Sequence, residues 1–379
     1  MSPQKTFVLD GRSATSHFPG IGRYVRSLAA ETEALLREGE SLAVILNPGQ
    51  EDLANEIGRS GAAQILPVDS SPFSIRQQWE VPRVLGPTGA RLYHSPYYLM
   101  PYRPGIPTVL TVYDLIPLRY PRQVSLQARS VFRWATALAL RSAGHIIAIS
   151  QSTSDDFQRA FDLPAAEISV IPLAAGSQFK PQSREEIQRV RDFYSLQSQY
   201  ILYFGINKPH KNLDRLIQAV AYAALNGESL RAGMQLVIAG AWDPRYPEAV
   251  NRARELGLGD RVRFLGPVPE ADLPGLYSGA SAFIFPSLYE GFGLPVLEAM
   301  ACGVPVACAN TSSLAEIASD SAALFDPLSP KAIAEALLGL LSDPDLQRDL
   351  IQRGFLRAAE YSWRRTAEAT IQIYRSRME

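Results

Sequence analysis

Short runs of β-branched and aliphatic residues punctuate the chain. Most are apolar at every position rather than at alternate ones. They lie at residues 6–9, 41–46, 91–94, 108–113, 145–149, 200–204, 235–239, 262–265, 282–286 and 305–309. Continuous apolar runs of this length predict parallel strands covered on both faces. Between them, segments such as 22–37, 213–225 and 331–341 carry apolar residues three and four apart, which predicts amphipathic helices. Strand–helix alternation with short turns predicts a doubly wound α/β architecture. Ten strands exceed what one such sheet usually carries, so two Rossmann-like domains are expected.

The boundary falls between the strand-like Ser169-Val-Ile-Pro172 and the strand opening at Tyr200. Residues 180–183 form a polar, proline-containing stretch that reads as a linker. This predicts an N-terminal domain of residues 1–180 and a C-terminal domain of residues 181–360. Residues 361–379 hold a further helix, with Ala367, Ile371 and Tyr374 on one face, expected to pack back on the N-terminal domain.

Composition narrows the class. Of 379 residues, 46% are hydrophobic and 20% charged, which excludes a disordered chain. Lys plus Arg number 37 against 38 acids, so no global basic field exists to attract nucleic acid. Two cysteines, Cys302 and Cys308, cannot build a disulfide scaffold and suit a reducing compartment. The first ten residues contain Asp10 and no long apolar region, unlike a secretory signal, and no run reaches the ~18 apolar residues of a membrane span. A cytoplasmic location is therefore expected. Four histidines, with no HExxH and no CxxC, give no metal site and call for no resident cofactor.

Three segments carry chemistry. Gly20-Ile-Gly22 follows the first strand and opens a helix, where backbone amides and the helix N-terminus favour an anion. Val25 replaces the third glycine of a dinucleotide fingerprint. The second segment, Tyr200 to Leu213, runs strand, glycine turn, cationic loop and helix start. Its Lys211 opposes the helix dipole unless an anionic ligand joins it. The third runs from Phe285 to Val306. A strand ends at Pro286, a glycine-rich loop follows, and Pro295 suits a helix first turn. Amides of Gly291, Phe292, Gly293 and Leu294 are expected to point outward at the strand's carboxyl end, where open α/β sheets bind ligands. Glu290 and Glu298 flank that anion corner. Carboxylates repel a phosphate but accept hydrogen bonds from hydroxyls beside it, so Glu298 suits a ribose diol and Glu290 a sugar ring.

The eight-residue spacing of Glu290 and Glu298 within EGFGLPVLEAMACGVPV resembles the retaining glycosyltransferases of family 4, which have the GT-B fold. GIGRY from Gly20, YHSP around His94, TVYDLIPL from Thr111, AISQ from Ala148, NKPHKN from Asn207, FLGPV from Phe264 and SSLAEI from Ser312 extend the resemblance over nearly the whole chain. The set looks most like the mannosyltransferase branch that builds bacterial surface polysaccharides. The resemblance implies two Rossmann-like domains facing across a cleft. It implies a nucleotide-diphosphate sugar as co-substrate, GDP-mannose favoured, and a glycan or lipid-linked acceptor. It further implies that Glu298 holds the ribose, Glu290 and Lys211 serve sugar and diphosphate, and the loop amides bind both. Gly20 and Gly22 would line the phosphate side of the N-terminal domain.

Two departures stand out. Ile206 occupies the usual place of a donor-loop arginine, leaving Lys208 as a substitute, and Tyr113 replaces a histidine before Asp114. Asp114 reads equally as an acceptor ligand or a strand-end structural acid, and His94 and Tyr113 are further candidates for sugar or acceptor. The family reaction is front-face attack without metal. A GT-B epimerase or phosphorylase, and a non-catalytic nucleotide-sugar-binding protein, remain open alternatives. Finally, five arginines (Arg119, Arg122, Arg129, Arg133, Arg141) and no acid lie between Leu115 and Ser154. Arg129 and Arg133 share a helix face. The stretch reads either as a solvated face with Phe132 and Trp134 in the core, or as a basic surface for a phosphate-bearing acceptor or an anionic membrane.

Overall fold

The computed structural model describes residues 5–15, 18–58, 63–226 and 233–378. They form two compact units, residues 1–173 with 362–379 and residues 174–361. The first holds β1 (Lys5–Asp10), β2 (Glu40–Leu46), β3 (Ala63–Pro67), β4 (Ala90–Ser95), β5 (Thr108–Val112), β6 (His145–Ala148) and β7 (Ile168–Val170), in the order β3-β2-β1-β4-β5-β6-β7. The second holds β8 (Tyr200–Phe204), β9 (Gln235–Ala239), β10 (Val262–Gly266), β11 (Ala282–Phe285), β12 (Val306–Ala309) and β13 (Ala323–Phe325), in the order β10-β9-β8-β11-β12-β13. All pairings among the described residues are parallel. Each sheet therefore reverses its winding once, between β1 and β4 and between β8 and β11, and crevices for ligands form at such points.

Central strands explain the apolar runs. Phe7, Val8 and Leu9 of β1 are buried, as are Ile201, Leu202 and Tyr203 of β8. Burying each such side chain stabilises the fold by about 1.5–3 kcal/mol. The pattern missed β3 and β13, which are edge strands. In β3 only Leu66 is fully buried, and β13 has three residues, so neither shows a continuous apolar run.

The chain passes to the second unit after Leu173, earlier than the expected boundary at 180. Phe179 explains the shift: it is buried, with its ring 5.8 Å from that of Tyr277 in a T-shaped contact. Residues 180–183 are no free linker either. The Gln182 amide donates to Ser278 Oγ at 3.2 Å, and Ser183 caps the helix Arg184–Tyr194. The C-terminal helix Trp363–Ser376 belongs to the first unit. It buries Trp363, Ala367, Ile371 and Tyr374 there. Arg375 pairs with Glu40 at 2.7 Å, and Thr366 Oγ1 donates to the Pro172 carbonyl at 2.8 Å. No helix among the described residues is long and apolar enough to cross a membrane.

Candidate active site

The second unit brings two of the singled-out side chains together where its strand order reverses. Lys211 follows β8 and Glu290 follows β11. The Lys211 ammonium meets Glu290 Oε1 at 2.5 Å, with side-chain exposures of 15% and 12%. The ammonium also stands 5.4 Å from the centre of the Phe285 ring, a cation–π contact. Each charge neutralises the other.

Local chemistry holds the loops in register. Lys211 closes a 3-10 turn, Pro209–Lys211, and Asn212 then takes a left-handed conformation at φ 63° before the helix Leu213–Asn226. Asn212 is buried, and its Nδ2 donates to the Pro286 carbonyl at 3.0 Å and to the Pro327 carbonyl at 2.7 Å. The Leu288 amide donates to the His210 carbonyl at 2.8 Å. Burial, aided by the charges of Lys211 and Lys208, pushes His210 down to about 2, so its ring is neutral. On the other side, the Glu290 amide donates to Ser312 Oγ at 3.0 Å. Ser313 Oγ donates toward the Glu290 carbonyl at 2.9 Å and the Phe292 carbonyl at 2.7 Å. Sequence reading missed Asn212, Ser312 and Ser313 as site residues. Their motifs were visible, but a hydroxyl or amide that braces a distant loop leaves no local spacing signal.

Gly293 is the N-cap of the helix Leu294–Ala301, at φ 113°, and Pro295 stands in its first turn. A Cβ on Gly293 would lie 2.6 Å from Leu314 Cδ2, so both backbone and space demand glycine. The helix has no side-chain cap; Pro295 has no N–H to satisfy, and the Val296 amide donates to the Gly293 carbonyl at 2.9 Å. Gly291, Phe292 and Gly293 are themselves buried. Lys208 is half-buried and has no ion pair among the described residues. Its charge acts with the hydrogen-bonded Arg245, the larger influence, to hold Asp243 down to about 2.

Glu298 lies on the same helix but is fully buried, at 0% exposure. Tyr277, also buried, donates its hydroxyl to Glu298 Oε2 at 2.9 Å. The expected ribose contact is thus closed off in this arrangement, because the side chain points into the unit's interior.

In the first unit the helix begins at Pro19, so Gly20 and Gly22 open it as expected; Gly20 is exposed, whereas the buried Gly22 has its amide taken by the Phe18 carbonyl at 3.0 Å. His94 lies in the core at 0% exposure rather than lining a ligand site. Its Nδ1 is 2.5 Å from the Tyr374 hydroxyl and its Nε2 2.8 Å from Thr111 Oγ1. Burial lowers its pKa to about 3, so it is neutral. Tyr113 and Asp114 follow β5 directly. The Tyr113 hydroxyl is buried without a hydrogen-bond partner among the described residues, and its ring stands edge-on to Tyr24 at 5.9 Å. Asp114 Oδ1 accepts from the Ile116 amide at 2.9 Å, a turn-capping role. Arg129 and Arg133 lie on the helix Leu126–Ser142, Arg129 half-buried and Arg133 exposed.

An ion pair not anticipated from sequence stands at the carboxyl end of β1. Asp10 accepts from Arg12 Nε at 2.9 Å and Nη2 at 2.6 Å, and from the Tyr93 hydroxyl at 2.5 Å. Arg12 also donates to the Ser70 carbonyl and to Gln77. Burial alone would raise the Asp10 pKa, and the facing guanidinium more than offsets it, holding the carboxyl below its ordinary value. Among the described residues, no three or more His, Cys, Asp or Glu gather as a metal site would require.

Comparison with known proteins adds a second line. Residues 184–357 match the family model described as Glycosyl transferases group 1, and residues 19–174 match Glycosyltransferase Family 4. The chain is 35% identical over 288 residues to the O-antigen chain mannosyltransferase B of Escherichia coli, covering 75% of this chain and 74% of that protein. It is 33% identical over 273 residues to the serotype-specific mannosyltransferase WbdA of the same species, covering 70% of this chain but only 33% of that longer protein. Among solved structures, HepE of Anabaena, in complex with UDP and glucose, superposes with a TM-score of 0.76 at 20% identity, covering 98% and 100% of the two chains.

Proposed function

The chain belongs to glycosyltransferase family 4 and has the GT-B fold, and from that premise we propose a retaining mannosyl transfer. The donor is a nucleotide-diphosphate sugar, GDP-mannose favoured, and the acceptor a glycan or lipid-linked saccharide of a surface polysaccharide. The observation that carries this reading is the meeting of Lys211 and Glu290 beside the uncapped Leu294 helix, at the sheet reversal of the second unit. A cation and helix amides fit a diphosphate, and a carboxylate beside them fits sugar hydroxyls. The mannosyltransferase relatives support the choice of sugar.

In the proposed reaction the acceptor hydroxyl oxygen attacks the anomeric carbon from the face that the diphosphate leaves. The bond from that carbon to the phosphate oxygen breaks, and the acceptor proton passes to a phosphate oxygen. Negative charge grows on the diphosphate, and Lys211, with Lys208 nearby and the amides of Gly291 to Leu294, stabilises it. Glu290 orients the sugar ring. Tyr277 holds the buried carboxylate of Glu298, the residue that the family resemblance assigns to the ribose. Tyr113 and Asp114, which follow β5, are the further candidates for sugar or acceptor. No protein base or metal ion is required. On this reading the protein works in the cytoplasm, against the inner face of the membrane.

The test incubates the full chain with a panel of nucleotide sugars and follows thermal stabilisation, since ligand binding raises stability by mass action. Product configuration is then read by NMR with a saccharide acceptor. Stabilisation by GDP-mannose and an axial, donor-like linkage are expected, with activity unchanged by excess chelator. An inverted linkage would overturn retention. A changed sugar without acceptor would make the protein an epimerase. Loss of activity on chelation, restored by magnesium or manganese, would overturn metal independence.

A further inference from the structure

The helix Leu126–Ser142 has an outer face that nothing in its own unit covers. Its inner face buries Phe132, Ala135, Thr136, Ala139 and Leu140. Trp134 points the other way and is 72% exposed, and Leu126, Val131 and Leu138 are exposed with it. At 100° per residue, Trp134, Leu138 and Arg141 share the outward side, with Arg133 on the flank toward Leu126. The helix contains no acid. Arg133 and Arg141 have no ion-pair partner among the described residues. Between this helix and the helix Gln151–Phe161 runs a groove of about 410 Å³. Arg133, Trp134, Arg141 and Arg159 line it, and Asp162 is its only carboxylate.

Exposed Trp and Leu beside unpaired arginines are costly as a solvated face. Four large apolar side chains gain nothing from water, and Arg133 and Arg141 gain nothing from a neighbouring acid, while Arg159 already pairs with Asp156 at 2.8 Å. A bilayer of anionic lipids satisfies both, because headgroup phosphates meet the guanidinium groups while indole and aliphatic side chains enter the interfacial layer. We propose that this face docks the protein on an anionic membrane, with lipid phosphates seated in the Arg133–Arg141–Arg159 groove and Trp134 inserted at headgroup depth. The helix follows β5, so its N-terminal end starts from the strand ends that carry Tyr113 and Asp114. Docking there holds that side of the unit near lipid-linked saccharides. Binding itself is independent of the transfer reaction, so each can fail without the other.

The test is co-sedimentation of the full chain with vesicles of phosphatidylcholine alone or with 30 mol% phosphatidylglycerol (about a third anionic, a usual cytoplasmic-leaflet mimic). Wild type should sediment with the anionic vesicles only and be released by high salt. R133E/R141E should lower the partition coefficient at least tenfold with an unchanged thermal transition. W134S, which keeps every charge, should weaken binding severalfold and abolish the part of the tryptophan quenching by brominated lipid that wild type shows. Equal partitioning of wild type and R133E/R141E would overturn the proposal, as would binding to phosphatidylcholine alone with equal strength. Quenching that persists in W134S would overturn the assignment of the inserted residue. Tighter binding to heparin than to vesicles would make the face a general polyanion site and overturn the membrane reading.

Discussion

Lys211 and Glu290 compete for one another before any ligand arrives. A diphosphate must draw the ammonium from a carboxylate 2.5 Å away. Replacing Glu290 by Gln frees the lysine, so E290Q should bind GDP as tightly as wild type or tighter while transferring at least a hundredfold more slowly. K211A should lose both, with transfer down by about 10²–10³. Calorimetric titration with GDP separates the two, and weaker GDP binding by E290Q would refute the competition. The buried Asp10–Arg12 pair gives a second residue-level outcome. D10N leaves a guanidinium uncompensated in the core, which costs about 3 kcal/mol or more. D10L/R12M removes both charges and should cost less than D10N. Urea unfolding of the two variants checks the order, and the reverse order would show that the pair stabilises the fold as a pair.

At the scale of elements, the loop between β11 and the helix Leu294–Ala301 is rigid because three separate groups hold it. Gly293 supplies a left-handed turn, Ser313 binds two of its carbonyls and Ser312 binds the Glu290 amide. G293A forces a Cβ against Leu314 and a strained φ, which costs of order 1–3 kcal/mol. S313A removes the one hydroxyl donor that the Glu290 and Phe292 carbonyls share, for about 1–3 kcal/mol. Both variants should raise the donor KM more than they lower the melting temperature of the second unit, because the loop is local and the sheet beneath it is unchanged. A KM equal to wild type in G293A would show that the loop geometry is not what binds the donor. The C-terminal helix is held differently, by burial of Trp363, Ile371 and Tyr374 and by Arg375 on Glu40.

For the whole molecule, three buried histidines link stability to pH: His94 and His145 in the first unit and His210 in the second, each with its pKa lowered chiefly by burial. Free histidine has a pKa of 6.5, and burial lowers His94 to about 3 and His210 to about 2. Above pH 6.5 both states are neutral and the effect vanishes. As pH falls below 6.5 the unfolded chain takes up protons that the native chain refuses. Stability therefore drops, with a slope approaching about 1.4 kcal/mol per pH unit for each of His94 and His210. Unfolding free energies measured at pH 7.5, 6.0 and 5.0 should show this decline, and H94Q/H210Q should lessen its slope, His145 keeping the remainder. A wild-type curve flat over that range would contradict the burial assigned to these rings.

Much of this was legible before the tertiary structure. Doubly wound architecture follows from continuous apolar runs, since a parallel strand covered on both faces has no polar side to display. The donor-loop motif is equally local, because a strand end, a left-handed glycine and a first-turn proline must be adjacent in the chain to work. Edge strands β3 and β13 escaped because β3 buries a single residue and β13 spans only three, too little to leave a pattern. The other readings depended on partners far away in sequence. Lys211 and Glu290 are separated by 79 positions and His94 from Tyr374 by 280, so only the strand order decided that the first pair meets and that His94 is walled in. The same holds for Trp134 and Phe132, two positions apart on one helix. Periodicity places them on different faces, but only the packing of the sheet against that helix decided which ring is core and which faces outward.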